Sequence, residues 1–527
     1  MANMKKSNFS RKEVFVFLLI MIIGAFLRVY QLDKYPAGFH GDEAWTGLIA
    51  RQILKQGYIG FWSNSALGQP SLFFYWTAFL FKIFGDSASI VRLSFALLQI
   101  LSLPCFYLLI RLLFSYEAAL FSLFFFITGP VPLEFARRGD LPAVSFSFFP
   151  SIYFYLLSLK TNKWRYSLLS GLFLGLNNYA YHSYVLIAPI LAAYTVLAVI
   201  LNRKLFSIKK ALIPFFILIT TYLLVFSPLL LITMKSPYIV FGKFRSFSIL
   251  SSEGLRHLKS YAPQVNSSFE AIIYNFKVSL PLFYSGHDDS MGSHVFDPIQ
   301  AFFFSIGIIF AFRYAHKKYR LFPYFIFLTL FVTCIFTINA PTFRRFQSSI
   351  FWAYIFTGVG AWTCLIWSKR ILKKYNIIGT TLIITLSFVS GIYNSYLFFS
   401  KYAVSQQTKS FTSYSFVVAA DFINSLPQKT RIYFYSSIGP LNYETLRYLL
   451  RSNIEAKDRS IEGINYSDLM RDTEDQPVTY ILFPNYLNLV NNLESIYPDG
   501  KKIEHKDTDD TLQFVSYSLP VISKKNL

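Results

Sequence analysis

The stretch Leu32-Asp33-Lys34-Tyr35-Pro36-Ala37-Gly38-Phe39-His40-Gly41-Asp42-Glu43-Ala44-Trp45 follows directly on an apolar run from Val14 to Tyr30. Charge beside hydrocarbon is costly unless it performs a task, so an adjacent acidic pair at the mouth of a membrane span marks a candidate site. A second acidic residue stands in Glu134-Phe135-Ala136-Arg137-Arg138-Gly139-Asp140, again just after an apolar run. The reading turns on whether the two clusters face the same side.

The rest of the chain answers that question through charge. Of 527 residues, 54% are hydrophobic and 15% charged, with a formal net charge of +22. Apolar runs of nearly bilayer-spanning length recur, with basic residues gathered in the short loops between them. The positive charge therefore reads as a topology signal, and nucleic acid is not read as a partner. Lys5, Lys6, Arg11 and Lys12 precede the first run and no small-residue cleavage pattern follows it, so it is expected to stay as a span. Ten further spans are expected near 88–113, 115–133, 141–158, 166–181, 184–200, 211–233, 299–312, 321–338, 347–367 and 376–398, about eleven in all. Inner loops then hold Lys160, Lys163 and Arg165; Arg203, Lys204, Lys209 and Lys210; Arg313, Lys317, Lys318 and Arg320; and Lys369, Arg370, Lys373 and Lys374. Asp42, Glu43 and Asp140 fall together on the outer face, with Lys243, Arg245, Arg344 and Arg345.

Asp42 to Gln56 has the pattern of a helix in the interface, and 70–84, with Phe73, Phe74, Tyr75 and Trp76, that of a second element in the aromatic belt. The segment 234–298 is expected as an outer loop with short helices. Past Lys401 hydrophobicity becomes intermittent, and a small outer α/β domain is expected over 401–527, after a membrane domain over 1–400. Its helices are placed at Thr412–Leu426, Tyr443–Leu450 and Asn488–Ile496, its strands at Arg431–Tyr435, Val478–Phe483 and Thr511–Leu519. Cys105, Cys334 and Cys364 all lie in apolar runs and read as small buried hydrophobes.

At these residues the chain resembles the GT-C superfamily of membrane glycosyltransferases, in particular the protein O-mannosyltransferase and aminoarabinose transferase branch. The resemblance rests on Arg28, Leu32-Asp33, Pro36 and Asp42-Glu43, and on the Arg137-Arg138-Gly139-Asp140 ending of a second outer loop. It implies a polytopic all-α membrane domain with outer-face juxtamembrane helices, in a prokaryotic plasma membrane, with site and C-terminal domain outside. It also implies transfer of a sugar from a polyprenyl-phosphate donor to an external glycan, lipid or protein acceptor. Trp45 stands where the aminoarabinose transferases have an arginine, and Gly68-Gln69-Pro70 where a charged residue or histidine precedes proline, so lipid A is not implied as acceptor.

Such a transfer needs a carboxylate beside the acceptor hydroxyl and positive groups beside the departing phosphate. Asp42 is the expected base. Glu43 and Asp140 are candidates to orient it, to bind sugar hydroxyls, or with Asp42 to hold Mg²⁺ or Mn²⁺. The plainer alternatives are a helix-start charge for Glu43 and an ion pair with Arg137 or Arg138 for Asp140. Arg344 and Arg345 are candidates to clamp the phosphate or to touch lipid headgroups, with Arg137, Arg138, Lys243 and Arg245 for the same duty. His182 is a candidate for sugar or phosphate contact. His287, Asp288, Asp289 and His294 form the chain's local His/Asp cluster, read either as a metal site or as a substrate-contacting loop. A transporter or flippase of lipid-linked saccharides is the competing class, with a non-catalytic assembly subunit behind it; charges at outer span ends rather than at midplane favour the enzyme.

Overall fold

The computed structural model describes residues 9–63, 68–139, 144–180, 185–201, 208–237, 245–287, 290–451, 454–460, 469–470 and 475–521. The expectations for Asp140, His182, Lys243, Asp288 and Asp289 fall outside the described residues.

Helices occupy each of the eleven expected span positions: α1 (Arg11–Val29), α4 (Ala88–Leu113), the pair α5 (Tyr116–Thr128) and α6 (Pro130–Arg137), α7 (Val144–Thr161), α8 (Trp164–Asn177), α9 (Ile187–Leu201), α10 (Ile208–Lys235), α14 (Pro298–Tyr314), α15 (Phe322–Ile335), α16 (Phe343–Ile371) and α17 (Asn376–Ser400). Among the described residues, five helical stretches can cross a membrane by length and composition, and a sixth if α5 and α6 count as one span bent by 60°. The bend falls where Gly129 meets Pro130, because proline at the first helical position restarts a helix but cannot continue one.

Long α16 is the hub, with Phe346 and every residue from Ile350 to Phe356 buried. It lies against α14 with helix backbones in contact: a Cβ on Gly307 would run into the Phe356 carbonyl, and one on Gly360 into that of Phe303. At the periphery Ile213, Phe216, Leu224 and Leu231 of α10 are exposed, as are Ile377, Ile392 and Tyr396 of α17. Exposed apolar rows of this length belong against lipid.

Two helices sit between α1 and α4: α2 (Gly41–Gln56) and α3 (Leu72–Phe84), with the short antiparallel pair β1 (Trp62–Ser63) and β2 (Gln69–Pro70) between them. Ala44, Ile49 and Ile53 of α2 pack with Phe74, Ala78 and Phe81 of α3 and with Tyr448 from the C-terminal part of the chain. The expected outer loop contains α11 (Ser252–Tyr261), α12 (Ser268–Ser279) and α13 (Leu282–Ser285).

Beyond α17 come α18 (Gln406–Phe411), α19 (Tyr414–Ser425), β3 (Arg431–Tyr435), α20 (Glu444–Leu449), β4 (Ala456–Asp458), β5 (Val478–Leu482), α21 (Asn488–Ile496), β6 (Lys501–Lys506) and β7 (Leu512–Leu519). They form a five-stranded sheet in the order β4-β3-β5-β7-β6, with β3 parallel to β4 and β5, and β7 antiparallel to β5 and β6. The three expected strands are its centre. The two that sequence reading missed, β4 and β6, are its edges: one is three residues long and the other, Lys-Lys-Ile-Glu-His-Lys, is almost wholly exposed. Edge strands with charged faces carry no alternation of apolar residues to detect.

Candidate active site

The loop between α1 and α2 has little regular structure, and its carbonyls are collected by two buried arginines. Arg137 donates to the carbonyls of Leu27 at 2.7 Å, Tyr30 at 2.5 Å and Tyr35 at 3.0 Å, and its guanidinium lies 5.0 Å over the Phe399 ring. Arg92, inside α4, donates to the carbonyls of Leu32 at 2.9 Å, Pro36 at 2.8 Å and Gly38 at 2.5 Å. Five-donor guanidinium groups suit this duty, since a buried loop must satisfy its backbone somewhere.

Arg92 also binds Glu43, from Nε to Oε1 at 2.8 Å and from Nη2 to Oε2 at 3.2 Å. The same carboxylate accepts the backbone N–H of Gly139 at 3.0 Å and of His40 at 2.9 Å. With four donors on two oxygens and no exposed surface, Glu43 joins the loop between α1 and α2 to the segment that follows α6. Its acceptor positions are taken up within the protein, as in the plainer reading of Glu43 as a structural charge. Arg137, a candidate phosphate ligand, likewise directs its N–H groups at carbonyls and clamps the loop. Arg138 is buried against Glu134, at 2.7 Å, with Ser290 donating to the same Glu134 oxygen at 2.7 Å. Arg138, a further phosphate candidate, thus forms half of a buried ion pair.

Asp42, one position away, is different. It is the second residue of α2, where the helix dipole favours an anion, and its side chain is 44% exposed. His40 caps the helix: its Nδ1 accepts the Asp42 backbone N–H at 3.1 Å, which puts the ring proton of the neutral tautomer on Nε2. The ring stacks on Phe411 of α18, centroids 4.8 Å apart and planes inclined by 15°. Arg344, at the start of α16, brings Nη1 to 3.7 Å from the outer carboxylate oxygen of Asp42 and lies 5.3 Å over the same Phe411 ring. Arg138 lies 4.7 Å over it as well. One phenyl ring from beyond the membrane helices thus spaces three cationic or titratable groups around Asp42.

Arg345 turns away from Arg344 and lies 4.3 Å over Phe247, while Arg245 is exposed and its carbonyl accepts a hydrogen bond from Ser251. His294 is tied to Tyr402 at 2.7 Å and to Asn394 at 3.3 Å, and burial lowers its pKa. His287 bonds the Ser285 carbonyl at 2.9 Å. Among the described residues no three His, Cys, Asp or Glu side chains are grouped to hold a metal. Of the candidate carboxylates and arginines, the structure brings Asp42 and Arg344 together.

Arg92, Glu134, His40 and Phe411 were missed as site residues. Arg92 carried a signal, an arginine inside an apolar run, and that run was read only as a span. Phe411 carried none.

The backbone clasp behind Phe411 completes the geometry. Thr412 donates to the Ala37 carbonyl at 2.5 Å, and its own carbonyl accepts the Phe39 N–H at 2.9 Å. Gly38 between them has φ of +82°, and a Cβ there would collide with Thr412.

Residues 68–232 match the family described as dolichyl-phosphate-mannose-protein mannosyltransferase. By structure the chain is similar to ArnT from Cupriavidus metallidurans in the apo state, with a TM-score of 0.54 at 14% identity over 96% of this chain and 97% of that one. ArnT bound to undecaprenyl phosphate gives 0.53 at 13% identity, again over 96% and 97%. The archaeal oligosaccharyltransferase AglB from Archaeoglobus fulgidus, in complex with an inhibitory peptide and a dolichol-phosphate, gives 0.51 at 14% identity over 84% of this chain and 64% of that one. No curated protein matches by sequence. The chain thus shares its fold with ArnT.

Proposed function

We propose, from this fold, that the chain is a membrane glycosyltransferase that moves a sugar from a polyprenyl-phosphate donor to an acceptor hydroxyl at the outer face. The observation that carries the reading is the contrast between Asp42 and its neighbours. Glu43, Arg92, Arg137 and Arg138 are buried and hydrogen-bonded within the protein, whereas Asp42 is half exposed at a helix start with Arg344 at 3.7 Å. The donor class is supported by the undecaprenyl phosphate bound to ArnT and the dolichol-phosphate bound to AglB. The eleven crossings, the outer placement of this loop and the domain of residues 401–527 follow the charge pattern of the loops.

In this mechanism the acceptor hydroxyl gives its proton to Asp42 as its oxygen attacks the anomeric carbon. The bond from that carbon to the phosphate oxygen breaks, and the lipid phosphate leaves with the bonding pair. Arg344 faces the charge that grows on the phosphate, an interaction stronger in the transition state than in the bound donor. Burying Arg92 and Glu43 behind the loop fixes where Asp42 stands before either substrate arrives.

The test is turnover of a polyprenyl-phosphate mannose by the purified protein in nanodiscs, scored as release of polyprenyl phosphate in the presence of outer-leaflet glycan, lipid or peptide acceptors. Wild-type release that is lost in Asp42→Asn supports the proposal. Movement of the intact donor between leaflets without release would replace it with a flippase.

A further inference from the structure

In the 26-residue α4, Arg92 lies beside Glu43 and the helix runs on to Leu113, whose carbonyl accepts the backbone N–H of His316 at 3.0 Å. That places the turn Lys317–Tyr319 at the opposite end of the bundle from Asp42, about 32 Å along the helix axis. There a cavity of about 200 Å³ opens between the last turns of α9 and α14 and the start of α15. Lys317, Lys318 and Arg320 line it together with Leu197, Ala198 and Phe312, and no acidic residue does.

The three cations are not equivalent. Lys318 donates from Nζ to the Leu159 carbonyl at 2.9 Å and so secures the end of α7. Arg320 lies 5.6 Å over Phe312, and its Nε is buried without a hydrogen-bond partner among the described residues. A buried guanidinium N–H with no acceptor costs stability unless an anion meets it. The charge of Lys160 reaches the same region: burial, then that charge, lowers the pKa of His316.

The surroundings of the mouth are apolar. Val196 and Ile200 of α9 are 60% and 62% exposed, Ile309 and Phe312 of α14 are 67% and 46% exposed, and Leu321 is 42% exposed. A soluble anion would gain nothing from such walls, while acyl chains would lie along them. Loop lysines that only mark topology need no enclosed volume and no buried N–H.

We infer that this cavity holds the headgroup of an anionic phospholipid, its phosphate against Arg320 and Lys317 and its acyl chains over α9 and α14. The site is separate from the donor phosphate site, and it holds whether or not the reaction proposed above is correct.

Nanodiscs made from equal phosphatidylglycerol and phosphatidylcholine provide the test, with the lipids retained by the extracted protein counted by native mass spectrometry. Wild type should retain phosphatidylglycerol preferentially, and Lys317→Gln and Arg320→Gln should each reduce that preference about fivefold. Both variants should keep the wild-type thermal midpoint in phosphatidylcholine alone, which separates lost binding from lost folding. Equal retention of the two lipids by wild type would overturn the inference, as would a preference that both variants preserve. Stabilisation of lipid-stripped wild type by inorganic phosphate, without phosphatidylglycerol enrichment, would assign the cavity to a soluble anion instead.

Discussion

Neighbouring residues on a helix point about 100° apart, and that rotation separates the roles of Asp42 and Glu43. Asp42→Asn should fold as wild type, since the amide keeps its place at the helix start, and should lose roughly 10²–10⁴ in turnover if Asp42 is the base. Glu43→Gln should do the reverse: it leaves the charge of Arg92 buried and unmatched, a cost of about 3–5 kcal/mol that a lowered thermal midpoint would register. An unchanged midpoint with lost turnover would return Glu43 to the chemistry. Arg344→Ala should cut turnover by roughly 10²–10³, as removal of one preorganised donor does, while Arg345→Ala should change it little. Equal effects would mean that both guanidinium groups reach the donor. In the sequence Asp42 was singled out as the base, but Arg344 and Arg345 were not told apart and Arg92 was not linked to Glu43. What distinguishes them is pairing across long separations, as between Arg92 and Glu43, 49 positions apart, and no local pattern encodes such a pair.

At the level of elements the six-residue α18 has the most leverage for its size. Its Lys409 ammonium lies 2.9 Å from Asp507 and 2.6 Å from Asp509, in the turn between β6 and β7, and Gln406 adds a bond to Asp507 at 3.0 Å. Burial would raise the Asp507 carboxyl, but these bonds and the N–H groups of Thr511 and Asp509 outweigh it and hold the pKa at about 2. An unfolded aspartate titrates near ~3.9, so this contribution is complete above about pH 4 and is lost as the pH falls towards 2. The difference in thermal midpoint between wild type and Asp507→Asn should accordingly be largest near neutrality and shrink below about pH 4. A difference independent of pH would place the effect elsewhere. Phe411→Ala, at the end of the same helix, should lower turnover without a matching loss of stability, because it frees His40, Arg138 and Arg344 from a common ring; Phe411→Tyr should restore most of it. Nothing in Gln-Gln-Thr-Lys-Ser-Phe announces a helix, since six residues are too few for a periodic pattern. The break between α5 and α6 was legible at Pro130, had the continuous apolar character of 115–133 not outweighed it.

For the whole molecule, the apolar runs read well as helices because they arise from solvent partition, which acts on composition more than on packing. The placement of α20 against α2 was not readable, since it depends on Tyr448 fitting among Phe39, Ile49 and Phe74. Topology can be measured by cysteine labelling: Ser437→Cys should react with an impermeant thiol reagent from outside and Arg370→Cys only after permeabilisation. Cys334 is buried and Cys105 and Cys364 are partly so, which keeps the background low. The opposite labelling pattern would invert the assignment. The bond from Thr412 to Ala37 joins positions 375 apart, and this has a consequence for biosynthesis. At ordinary elongation rates roughly 20–75 s separate the appearance of the two residues from the ribosome. During that interval the nascent chain threads into the bilayer with its first loop unclasped, and a product terminated before Thr412 should insert but remain inert.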